Sequence, residues 1–115
     1  VIAEENVTNE IQDVLKQKFE NYLNIATSKP TFLELMNKQA SKKNAVILLT
    51  NRYNLKREEI VAIGDNFNDK EMIEYVGYGV AMDNAPDQVK SVADYVTATN
   101  NEDGVSRALT KIFDL

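Results

Sequence analysis

The chain has 115 residues, 43% of them apolar and 27% charged, a net charge of −5, and neither cysteine nor histidine. That is one ordinary globular domain's worth of sequence. No apolar run reaches the ~18 residues of a membrane span and no signal-peptide pattern opens it, and the acidic balance argues against a nucleic-acid surface.

In chain order, "VIAEENVTNEIQDVLKQKF" reads as a short strand and then a helix capped by Thr8 or Asn9. Ile11, Val14, Leu15, Lys18, Phe19 and Tyr22 keep helical spacing on one face. "YLNIAT" and "TFLELM" follow as two extended runs split by "SKP", an antiparallel pair whose Lys29 is held extended by Pro30. After "NKQASKK" the pattern alternates. Ser41 caps a helix to about Tyr53, Ile60–Ile63 is an apolar strand, and Asn68 caps a helix to about Val76. "YGVAM" is a strand, "APDQVKSV" a short helix with Pro86 in its first turn, and "DYVTA" a further strand. "NNEDG" is a loop, and Val105, Ala108, Leu109, Ile112 and Phe113 mark a closing helix. There is no internal repeat.

The expected fold class is therefore α/β, in two parts. Residues 1–38 resemble α+β material, and residues 39–115 resemble half of a doubly wound unit with a parallel sheet. Three parallel strands are few for that architecture.

Lack of His and Cys excludes Ser-His and Cys-His nucleophile pairs and the usual zinc sites. Any catalysis must run on carboxylates, lysine, hydroxyls and a hard cation. The stretch "IGDNFNDKEMI" carries the densest group of oxygen ligands, at the carboxyl end of a predicted parallel strand, where ligands of such sheets bind. Asp65 there projects into a crevice, Gly64 permits close approach, and Asn68 and Asp69 open a helix whose N-terminus favours anions. Each also has a plainer reading: Asp69 as a favourable first-turn charge, Asn68 as a cap, Asn66 as a turn residue. In "SKKNA", Lys42 and Lys43 oppose the helix dipole, either as solvated lysines or as the partner of a bound phosphoryl group.

Taken together and in order, "SKKNA", "GDNFNDKEMI", "GYGVAMDNAPDQVKSVADYVT" and "NNEDGV" resemble the C-terminal part of a Cof-like phosphatase of the haloacid dehalogenase (HAD) superfamily. The resemblance covers essentially the whole chain. It implies a partial Rossmann-like HAD core over residues 39–115, preceded over residues 1–38 by the end of an α+β cap domain. It also implies a magnesium-dependent hydrolase of small phosphate monoesters, sugar phosphates among them, working through an aspartyl-phosphate. By position, the resemblance implies Asp65 as an Mg²⁺ ligand, Asn68 as a contact to substrate phosphate, and Asp69 as a catalytic and metal-site residue acting through water or hydrogen bonds. Lys42 becomes the catalytic and substrate-binding lysine that neutralises the phosphoryl group.

Two residues depart from the family pattern: Lys43 where glycine usually follows the lysine, and Asp83 where glycine usually follows "VAM". A larger departure is that no "DxDGT"-like nucleophile motif occurs, nor the Ser/Thr motif that follows it. Without that carboxylate no covalent step is possible, and Mg²⁺ loses ligands it needs. With Val1 in place of Met and a thin sheet, the expectation is an inactive C-terminal fragment that self-associates or pairs with a missing N-terminal half. Its expected location is the cytoplasm, with no nucleic-acid or membrane partner. A noncatalytic α/β module binding a metal or anion at Gly64–Asp69 is the alternative, and a structural fragment with a fortuitous acidic loop the third reading.

Overall fold

The computed structural model describes residues 1–115 apart from the side chain of Ser28. It divides into two compact units, Val1–Ser41 and Lys42–Leu115.

In the first unit the expected opening strand shrinks to one antiparallel bridge, Ile2 to Phe32. Helix α1, Glu5–Phe19, starts ahead of both Thr8 and Asn9, with Glu4 at its N-cap. An acidic first turn and basic Lys16 and Lys18 in the last turn suit the helix dipole. Thr8 is instead a fully buried helical residue whose hydroxyl donates to the Glu4 carbonyl at 3.0 Å. That back-bond to the preceding turn is what makes its burial tolerable. The expected apolar face is only partly covered. Ile11 and Leu15 are half-buried, while Val14, Phe19 and Tyr22 are exposed and Tyr22 lies beyond the helix. The antiparallel pair forms as expected: β1, Leu23–Lys29, pairs with β2, Phe32–Asn37, with Ile25 opposite Leu35. Ile25, Leu33 and Thr8 form the buried centre of this unit.

In the second unit α2, Lys42–Tyr53, follows Ser41 directly and stops where Asn54 turns left-handed at φ 51°. Strand β3, Val61–Gly64, leads into α3, Phe67–Tyr75, then β4, Tyr78–Ala81, and α4, Asp87–Lys90. Pro86 is the N-cap of α4 rather than a first-turn residue. Strand β5, Tyr95–Val96, is only two residues long, and a 3-10 turn at Asn100–Glu102 occupies the expected loop. Helix α5, Gly104–Phe113, closes the chain.

The three strands are parallel in the order β3-β4-β5, with Ile63 opposite Val80 and Ala81 opposite Val96. Parallel strands covered by helices read as continuous apolar runs, which is why "IVAI" and "YGVAM" were legible. Ile73 of α3 packs with Ala81, Ala85 and Val89 in the core, flanked by Val92 and Ala93. The approach of α3 to β4 is close enough that a Cβ on Gly79 would sit 2.3 Å from the Ile73 carbonyl oxygen, so only glycine fits. Because the strands share one direction, their carboxyl ends emerge on one side of the sheet.

Candidate active site

The loop after β3 is organised around a buried carboxylate. Asn66, not Asn68, is the N-cap of α3, and its side chain accepts from the Phe67 N–H at 2.8 Å. Two asparagines in this loop are capable caps. Asn66 prevails because Asp69 stands three residues on and completes a capping box with it. Asp69 is only 2% exposed. Its Oδ2 accepts from the N–H groups of Asp65 at 3.0 Å and Asn66 at 3.1 Å, and its Oδ1 meets the ammonium of Lys42. A buried carboxylate without such partners would be prohibitive; with three donors it is tolerated.

Gly64 makes room for this arrangement. A Cβ there would lie 2.4 Å from the Asp69 Cβ and 2.6 Å from its carboxyl carbon. The close approach that glycine permits is thus to Asp69, within the protein.

Lys42 begins α2, where a cation opposes the helix dipole, and the Asp69 carboxylate compensates that charge. Half of the Lys42 side chain remains exposed, at 51%. Lys42 is the lysine of "SKKNA" whose ammonium reaches the acidic loop.

Asp65 contrasts with Asp69: it is exposed, and its Oδ2 accepts one hydrogen bond, from the Asn84 amide at 3.4 Å. Asn68 is exposed on the first turn of α3. Asp83 turns to Lys90, whose ammonium is 3.8 Å from the Asp83 carboxylate and 3.4 Å from that of Asp87. Two residues of this constellation escaped the sequence reading. Asn84 follows β4 and accepts at Oδ1 from the N–H of Asn100, 2.9 Å away, in the turn after β5. Both lie just past the carboxyl ends of predicted strands, a position that could have singled them out.

Residues 1–109 match the family model of the haloacid dehalogenase-like hydrolases. The chain belongs to that family. Over 113 residues, 98% of its length, this HAD-like hydrolase chain is 47% identical to a provisionally named phosphatase of Haemophilus influenzae, of which it covers 43%. It is 40% identical over 108 residues to the 5-amino-6-(5-phospho-D-ribitylamino)uracil phosphatase YcsE of Bacillus subtilis, covering 94% of this chain and 43% of that one. A HAD/COF-like hydrolase structure from Plasmodium vivax superposes with a TM-score of 0.91 at 30% identity, over 99% of this chain and 40% of that one. The chain therefore spans less than half the length of these relatives.

The fold is that of the HAD hydrolases, and several of the curated relatives it resembles are phosphatases by name. No described helix is long and apolar enough to cross a membrane.

Among the described residues no three Asp, Glu, His or Cys side chains converge into a metal cage. For Mg²⁺ that is compatible with a site, because it is commonly held by one or two carboxylates plus waters and phosphate oxygens. The exposed carboxylate of Asp65 suits that donor set. Asp69 has both oxygens engaged by protein donors, so its fit is as a support behind the site.

Proposed function

We propose that this chain supplies the cation- and phosphate-facing half of a magnesium-dependent HAD phosphohydrolase. The reaction is hydrolysis of a small phosphate monoester through an aspartyl-phosphate, with the nucleophilic aspartate contributed from outside residues 1–115. The observation that carries this reading is the linked set Lys42–Asp69–Asp65 at the carboxyl end of β3. A buried carboxylate fixes the loop backbone and a lysine together while a second carboxylate is left facing solvent.

The roles divide accordingly. Asp65 would hold Mg²⁺, which when bound neutralises charge on the transferring phosphoryl group. Lys42, held in place by Asp69, presents its remaining donors to phosphate oxygens. Asn68, exposed in the first turn of α3, offers an amide donor to the same anion at a helix N-terminus. Asp69 holds the loop through hydrogen bonds and takes no part as a base. Sugar phosphates and phosphorylated sugar alcohols are the substrate class this reading favours, consistent with the phosphoribityl substrate in the name of the YcsE relative. The cytoplasm is the compartment it fits.

A chimera tests it. Residues 1–115 should be joined to the N-terminal segment of YcsE that they do not match. With Mg²⁺ the chimera should hydrolyse p-nitrophenyl phosphate, and the 115-residue chain alone should not. A folded chimera without turnover would sink the proposal. So would metal-dependent turnover by the isolated chain that disappears in Asp65→Ala, because the nucleophile would then lie within residues 1–115.

A further inference from the structure

We propose that Asn84 is a positioning residue for Asp65: it ties the carboxylate after β3 to the turn after β5 and so fixes the rotamer presented to a divalent cation. The inference rests on the reading of Asp65 given above, and adds to it a residue that never touches the cation.

Asn84 has two sides and each is assigned. The Asn100 N–H donates to Oδ1 at 2.9 Å, and Nδ2 donates to Asp65 Oδ2 at 3.4 Å. Rotating the amide by half a turn would set its NH₂ against the Asn100 N–H and its oxygen against the carboxylate, replacing two attractive contacts by two repulsive ones. One orientation therefore survives. The backbone at Asn100 dictates which face of Asn84 meets Asp65. Among the described residues Asn84 is the partner the Asp65 carboxylate has, so an exposed side chain with two free torsions depends on this contact for its order.

The geometry links three strand ends. β3 supplies Asp65, the loop after β4 supplies Asn84, and the turn after β5 supplies Asn100. Outer-shell hydrogen-bond partners of metal ligands typically contribute about 10–100-fold in metal affinity. The contact to Asp65 is long for a hydrogen bond, which puts the expectation at the lower end of that range.

NMR of side-chain and backbone amides, first on the 115-residue chain and then on the chimera, tests the inference in two steps. Without metal, Asp65→Ala should shift the side-chain NH₂ signals of Asn84; signals that do not move overturn the tie. In the second step Mg²⁺ is titrated alone into the folded chimera, which restores the ligands that residues 1–115 lack. Asn84→Ala should weaken its binding about tenfold while leaving the melting temperature unchanged. Asn100→Pro should weaken it several-fold, since it removes the N–H that orients the amide. Proline is tolerated there because Asn100 opens its turn and Thr99 before it is already extended, at φ −68° and ψ 165°. Equal Mg²⁺ affinity in wild type and Asn84→Ala overturns the positioning role. An otherwise wild-type chimera that takes up no Mg²⁺, although Asp65→Ala moves the Asn84 signals in the 115-residue chain, overturns the cation reading of Asp65, and the purpose assigned to Asn84 falls with it.

Discussion

The carboxyl ends of β3, β4 and β5 and the outward faces of α2 and α5 belong to the same unit, yet they are built in opposite ways. At the strand ends polar groups find partners: Asp69 has three donors, Asn84 is fixed on both sides, and Asp83 meets Lys90. On the helices, apolar groups stand in solvent: Leu48 and Tyr53 of α2 are each 64% exposed, and Val105, Leu109 and Phe113 of α5 are exposed too. Strand β3 likewise pairs with β4 alone among the described residues. Polar order without apolar cover is the mark of a surface whose chemistry is finished and whose packing is not. The two regions should therefore fail differently when mutated.

The largest effects belong to the strand ends and to turnover. In the active chimera, Asp65→Asn and Lys42→Ala should each lower kcat by about 10²–10³, the usual cost of removing a well-placed electrostatic group. Lys43→Ala should change it no more than a few-fold. Steady-state assays with p-nitrophenyl phosphate decide this; if Lys43→Ala is the more damaging, the lysine that faces the phosphate has been assigned one position out.

Stability should separate the two aspartates in the reverse sense. Asp69→Ala strips the Asp65 and Asn66 N–H groups of their acceptor and Lys42 of its partner, and should cost about 2–3 kcal/mol. Gly64→Ala should cost about as much, because its Cβ collides with Asp69. Asp65→Ala, on an exposed side chain, should stay within about 0.5 kcal/mol. Urea denaturation of the isolated chain measures all three. A large loss for Asp65→Ala would erase the distinction between the carboxylate that builds the loop and the one that faces outward.

Much of this architecture was legible because the second unit announces itself by apolar runs. "IVAI" and "YGVAM" are too short and too apolar for anything but buried parallel strands between helical segments, and they lie within a residue of β3 and β4. Helix starts were harder. Thr8 looks like a cap, but its hydroxyl serves equally well inside a helix, and the acidic residues before it extended α1 backward. Asn68 read as the cap of α3 and Asn66 as a turn residue, and the three-residue spacing from Asn66 to Asp69 is the detail that reverses the two. On α5 the periodicity identified a helix but not what covers it: Ala108 is buried while Val105 and Leu109 are not. The partners of Asn84 were out of reach for another reason, although its place just past a predicted strand could have marked it. Its two partners stand 19 and 16 residues away, and local pattern carries no information at that range.

The apolar region makes its own prediction, of intermediate size. We propose that in isolation the chain associates with itself, hiding the open side of β3 and the exposed leucines of α2 and α5. Sedimentation over a range of concentrations should show a dimer or larger species that dissociates on dilution. Leu109→Glu should weaken the association about tenfold, equivalent to ~1.4 kcal/mol. A compact monomer at every concentration, with the amides of Ile60 to Ile63 protected from exchange, would mean that these groups are covered within one chain.

The smallest effect tests how firmly the third strand end is held. Glu102 closes the turn that carries Asn100, and its carboxylate accepts from the Thr99 hydroxyl at 2.8 Å and the Thr99 N–H at 3.3 Å. The hydroxyl bond first, then the backbone bond, holds its pKa below the usual glutamate value, with a smaller contribution from the positive charge of Arg107. A folded-state pKa below the unfolded one means the stabilisation is present above the ordinary glutamate range and is lost as pH falls through the lowered value. Being exposed, Glu102 should affect the turn more than the global fold. Following its carboxyl carbon by NMR, Thr99→Val should bring the titration back toward the ordinary value, and Arg107→Ala should move it less. If Arg107→Ala moves it more, charge rather than the Thr99 cap sets this carboxylate. The turn that orients Asn84 would then be held by a screened surface interaction, and its order should fade with added salt.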